Sequence, residues 1–170
     1  RKESSAASDV YKRQEHVNQL DILIENMGRV NYGHKLFAET QKKGIRRGVM
    51  ADLHFITDWQ QYSLPLEDCK TVDYSKDWQP MQPSFYRYEF NLDEVEDCFI
   101  DLSKFGKGVV FVNQTNIGRF WEVGPTLSLY IPSGFLNVGR NEIVIFETEG
   151  TYQPEINLVK APVYKEMREG

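Results

Sequence analysis

Between residues 85 and 147, short β-branched and aromatic runs follow one another with few residues to spare, and this spacing constrains the fold more than any other feature. Residues 85–90 (FYRYEF) set Tyr86, Tyr88 and Phe90 on one side and Phe85, Arg87 and Glu89 on the other. That is the period-two mark of a strand. Runs at 98–102, 108–113, 117–123, 127–131 and 142–147 come next, separated by Gly, Pro, Asn and Ser, the residues that turn a chain most readily. No amphipathic helical pattern interrupts them, and residues 93–97 suit at most one helical turn. Closely spaced strands without helices predict an all-β sandwich or jelly roll.

Upstream the text is different. Residues 1–17 begin RKESSAASDVYKRQ, polar and without apolar period, and are expected to be a disordered tail. This stretch resembles a translated adapter remnant, foreign to the protein. Residues 18–66 read as the last part of a first β-domain, with candidate strands at 20–26 (LDILIEN), 50–56 and 59–66. Residues 67–83 contain two prolines, three aspartates and little periodicity, which marks a linker or long crossing loop. The jelly roll is then expected over 84–162, followed by a short tail at 163–170.

Within that domain, residues 109–112 are apolar on both faces, so this strand should lie centrally in a sheet with cover on each side. Residues 113–116 form its turn. The partner strand returns through Ile117, Gly118, Arg119, Phe120 and Trp121, where Gly118 suggests a bulge and Trp121 a large core anchor.

Composition narrows the chemistry. With 41% of its 170 residues hydrophobic, the chain can bury a core of one domain or somewhat more. A formal net charge of -5 leaves no basic surplus for phosphates or an anionic membrane, so nucleic acid and membrane partners are not expected. The apolar runs fall far short of the roughly 20 residues that span a bilayer. No continuous apolar signal core occurs either. Cys69 and Cys98 read as free thiols. His16, His34 and His54 neither pair at helical spacing nor sit near the cysteines, so no metal and no cofactor is indicated.

Several motifs together resemble the closing domains of family-35 β-galactosidases. They are Asn116-Ile117-Gly118-Arg119-Phe120-Trp121, Gly124-Pro125, a Leu-Tyr-Ile-Pro strand end, and residues 139–147 (GRNEIVIFE). A second match lies upstream at residues 24–33 (IENMGRVNYG), with Lys43-Gly44-Ile45 and Thr57-Asp58-Trp59 in the family's order. Asn116, Gly118, Arg119, Trp121, Gly124 and Pro125 form the structural motif. The family usually has glycine after the hairpin's first asparagine, where positive φ is wanted; this chain has Gln114.

The resemblance implies a galactose-binding-like jelly roll preceded by the end of another β-domain. It also implies that the parent enzyme hydrolyses terminal β-D-galactose with two glutamates roughly 5 Å apart. Both would belong to a (β/α)8 barrel of roughly 250 residues, for which this sequence has neither length nor alternation. No catalytic residue is therefore expected here, and the missing barrel is the expected partner, with the β-galactoside reached through the intact enzyme. In family members the tyrosine matching Tyr32 borders the sugar entrance, with Arg29 and Asn31 supporting it; packing between domains is an equally good account of all three.

Local carboxylates such as Asp93, Glu94, Glu96 and Asp97 read as a solvated face. Asn113-Gln114-Thr115 matches a glycosylation sequon, but a tight strand connection is a cramped acceptor. The alternative to an enzyme's tail is a free-standing carbohydrate-binding module using Trp59, Trp78 or exposed tyrosines.

Overall fold

The computed structural model describes residues 20–25, 33, 44–51, 53–76 and 81–166. It divides into two units, Arg1–Tyr62 and Ser63–Gly170. In the first, β1 (Met50–Ala51) pairs antiparallel with β2 (His54–Phe55). The run at 50–56, expected as one strand, is therefore a hairpin, turned at Leu53 with φ 66°. Residues 20–25 and 59–62 carry strand-like side chains but form no strand. An apolar alternation fixes a strand only where a neighbour satisfies its backbone N–H and C=O groups.

The second unit supplies such neighbours. Its strands are β3 (Ser84–Leu92), β4 (Cys98–Asp101), β5 (Lys107–Val112), β6 (Thr115–Trp121), β7 (Ser128–Ile131), β8 (Gly139–Glu147) and β9 (Asn157–Val159). One sheet runs β3-β8-β5-β6 and the other β7-β4-β9, with every pairing antiparallel. The nine-residue register between β3 and β8, Ser84 with Glu147 through Leu92 with Gly139, places Tyr86, Tyr88 and Phe90 inward. Between the sheets lie Ile100, Leu102, Val110, Val112, Ile131, Ile143 and Ile145, with Phe105 and Phe120. Burying each such side chain stabilises by roughly 1.5–3 kcal/mol, enough in sum to hold the sandwich shut.

Gly108 is fixed by close approach, since a Cβ there would meet the Phe146 carbonyl oxygen at 1.9 Å. Gly118 marks the bulge its position suggested. Val110 pairs with Gly118 but Phe111 with Asn116, so Ile117 is the extra residue. Gly118 takes φ 134°, and its N–H donates to Asn116 Oδ1 at 3.0 Å.

The turn between β5 and β6 is two residues long, with Asn113 at φ 46° and Gln114 at φ 70°. Positive φ at both central positions is the type I′ geometry. Gln114 adopts it without glycine, at a cost of about 1–2 kcal/mol. Side chains offset that cost. Asn113 Nδ2 donates to the Phe135 carbonyl at 2.7 Å and to Asn141 Oδ1 at 2.9 Å, while its Oδ1 accepts the Glu142 N–H at 2.9 Å.

Residues 67–74, from the stretch read as a linker or crossing loop, lie over the outer face of the four-stranded sheet together with Leu66, which was read as the end of the preceding strand. Leu66, Val72 and Tyr74 pack with Phe85 against Cys69, Val109, Phe111 and Val144. β5 is thus covered on both faces, as its unbroken apolar run required.

Candidate functional site

Arg29, Asn31 and Tyr32, the expected substrate-entrance residues, lie outside the described residues, as do Trp78 and the first seventeen positions. The motif residues of the second unit are placed. Asn116 closes the bulge and extends Nδ2 toward the Leu66 carbonyl at 3.4 Å. Gly124 and Pro125 share a cis peptide bond in the loop after β6, where the Gly124 N–H donates to the Trp121 carbonyl at 3.0 Å.

Trp121 corrects the sequence reading. It is 48% exposed, whereas Phe120 is the buried aromatic of the pair. Adjacent strand residues point to opposite faces; once Phe120 enters the core, Trp121 must face out. The signal was present in the sequence as two neighbouring aromatics. Arg119 and Trp121 share this outer face, and the Lys107 ammonium lies 5.3 Å from the Trp121 ring centroid. A half-exposed indole beside a cationic side chain offers an apolar platform with hydrogen-bond donors at its rim.

Glu147 is the residue that sequence reasoning undervalued. It closes the apolar run of β8 and is 0% exposed. Its Oε1 accepts N–H bonds from Gly106 at 3.2 Å and Lys107 at 3.1 Å. Its Oε2 accepts those of Glu149 at 3.1 Å and Thr151 at 2.7 Å. Both oxygens are consumed by backbone, so the group clamps two loops and is closed to a substrate.

Four other carboxylates are held below the ordinary carboxylate range, the opposite of the raised pKa of an acid catalyst. Backbone and side-chain hydrogen bonds from Lys70 act on Asp68, and those from Ser75 on Asp73. The Arg140 guanidinium, 2.6 Å away, lowers Glu89. The Tyr130 hydroxyl at 2.5 Å and the Ser133 N–H at 2.8 Å lower Asp97. Asp93, Glu94 and Glu96 are exposed. Among the described residues no cluster of His, Cys, Asp and Glu is placed to hold a metal ion, and no helix is long and apolar enough to cross a membrane.

Trp59, 38% exposed, donates its indole N–H to the Ile56 carbonyl at 2.8 Å, while Tyr62, Tyr130, Tyr152 and Tyr164 are also exposed. The surface is aromatic in several places.

Two family models divide the chain in the order the motifs suggested. Residues 1–65 match the first all-beta domain of β-galactosidase, a span that includes the N-terminal seventeen residues, and residues 83–141 match its galactose-binding domain. The chain belongs to the β-galactosidase family. It is 37% identical to Beta-galactosidase 1 of Dictyostelium discoideum over 85% of its own length and 23% of that protein. It is 34% identical to Beta-galactosidase 17 of Arabidopsis thaliana over 78% of its length and 22% of that protein. Beta-galactosidase-1-like protein 2 of Homo sapiens is 32% identical over 84% of this chain and 23% of its own. The chain thus spans about a quarter of the length of these relatives, through all-β accessory domains of the β-galactosidase family.

Proposed function

We propose that this chain is the non-catalytic C-terminal portion of a β-galactosidase that hydrolyses terminal β-D-galactose residues, where it braces the catalytic barrel and borders its substrate entrance. The observation that carries this reading is the pair of accessory-domain matches in family order, on a chain whose one fully buried described carboxylate, Glu147, is bonded through both oxygens to backbone. Tyr32 would stand beside the sugar entrance, positioned by Arg29 and Asn31, and tune the preference for the leaving group by stacking on its C–H face. On this reading the purified 170-residue chain does not hydrolyse a chromogenic β-galactoside. Measurable turnover would overturn it.

One observation favours a second reading, a carbohydrate-binding module: the half-exposed Trp121 with the Lys107 ammonium over its ring. Titration with galactose, lactose and N-acetyllactosamine, followed by tryptophan fluorescence, separates the two. Saturable binding that Trp121→Ala abolishes supports the module; an unchanged signal leaves the indole as a surface for the rest of the enzyme.

A further inference from the structure

The cover over the four-stranded sheet belongs to neither sheet. Residues 66–74 contain no strand and rest on Val109, Phe111 and Val144 through Leu66, Cys69, Val72 and Tyr74. Most of the hydrogen bonds at its core are local: Lys70 N–H to Asp68, Val72 N–H to the Cys69 carbonyl and Ser75 N–H to Asp73. Those that reach the sandwich converge on one hairpin. The Cys69 N–H donates to Gln114 Oε1 at 2.9 Å, and Asn116 makes the longer contact to Leu66. Gln114 is aimed for this task because its Nε2 donates to Glu142 Oε1, turning the amide oxygen toward Cys69. At the far end the Arg87 guanidinium lies 4.6 Å from the Tyr74 ring centroid.

We propose that residues 66–74 form a strap that opens and closes over the sheet while the sandwich stays folded, and that Gln114 is its latch. The latch explains why a glutamine occupies a turn position where glycine fits best: the side chain holds the strap, and the strained φ of 70° is the accompanying cost. Two features set the balance. Closing buries apolar surface on both partners, but it also buries the Tyr74 hydroxyl with no hydrogen-bond partner among the described residues, a group that regains water when the strap lifts. Segments held by few contacts are the ones that open below the global unfolding threshold. The strap also joins the residues before Ser63 to the sandwich.

Cys69 reports the state. Closed, it is 1% exposed and burial pushes its thiol up to about 11, so little reactive thiolate exists. Cys98, on β4, is only half-buried, so backbone amide exchange in β5 and β8, the buried centre of the four-stranded sheet, serves as the reference for opening of the sandwich itself. The test is pulse labelling of the 170-residue chain with N-ethylmaleimide alongside hydrogen exchange, both read peptide by peptide by mass spectrometry. Gln114→Gly keeps the turn, since glycine accepts its φ, and removes the latch. Cys69 labelling should then rise at least about ten-fold while β5 and β8 exchange and the thermal midpoint hold. An unchanged Cys69 rate overturns the latch, and a parallel rise in β5 and β8 exchange overturns the independent strap. Should the variant not fold, the wild-type chain in sub-denaturing urea decides. Cys69 labelling must depend on urea more shallowly than β5 and β8 exchange; equal dependences overturn the proposal.

Discussion

Residues 20–62 and residues 63–166 draw on similar apolar side chains and do opposite things with them. In the second unit Phe111, Ile100, Ile131, Ile143 and Ile145 are fully buried, because long paired strands bring two faces together. In the described part of the first, Leu53 is 90% exposed, Tyr62 79%, Phe55 60% and Ile24 53%, around a hairpin of two-residue strands. The contrast teaches that, among the described residues, apolar side chains are buried where long strands pair and left exposed where they do not. Enough strands must be present to satisfy each other's backbone and close a face.

The comparison breaks most decisively by separating the halves. A chain cut before Ser63 should yield residues 63–170 as a soluble species with one cooperative thermal transition, while residues 1–62 alone should aggregate through their exposed apolar side chains. A cooperative melt from residues 1–62 would erase the distinction. Within the second unit, Phe111→Ala should cost about 3–5 kcal/mol in urea unfolding, because the ring is enclosed between β5's neighbours and the strap and leaves a cavity.

A smaller effect comes from Asp97, whose folded pKa is depressed first by the Tyr130 hydroxyl. A depressed carboxylate stabilises above its unfolded pKa and loses that contribution as pH falls through the folded value. Asp97→Asn should therefore melt below wild type at neutral pH, and the gap should close as the solution is acidified below the ordinary carboxylate range. The smallest effect belongs to Trp121→Ala, expected within about 0.5–1 kcal/mol because the ring is half in water. A loss on the scale of Phe111 would return Trp121 to the core.

Much of the second unit was legible because its strands announce themselves. The FYRYEF alternation gave the correct faces of β3, and the apolar run of β5 required cover on both sides. β9 was not legible: Asn157–Val159 is a three-residue strand that exists only because β4, far back in the chain, offers a free edge. The runs at 20–26, 50–56 and 59–66 misled for the converse reason, being strand-like in pattern but lacking extended partners among the described residues. At the candidate site, the strand pattern put Trp121 in the core, but its neighbour Phe120 holds that face and Trp121 is half in water. Glu147 was hidden because its partners are backbone amides, which no side-chain pattern displays.

The hydrogen bonds of Asn113 carry a consequence for biosynthesis. Its side-chain nitrogen is the atom an oligosaccharide would be joined to in the sequon Asn113-Gln114-Thr115, yet in the folded hairpin that nitrogen is committed to Phe135 and Asn141. A glycan there would have to be attached before the hairpin closed and would then keep it from closing. In a secreting host, sugar at this position would mark the molecules that failed to fold, and the native ones would leave without it.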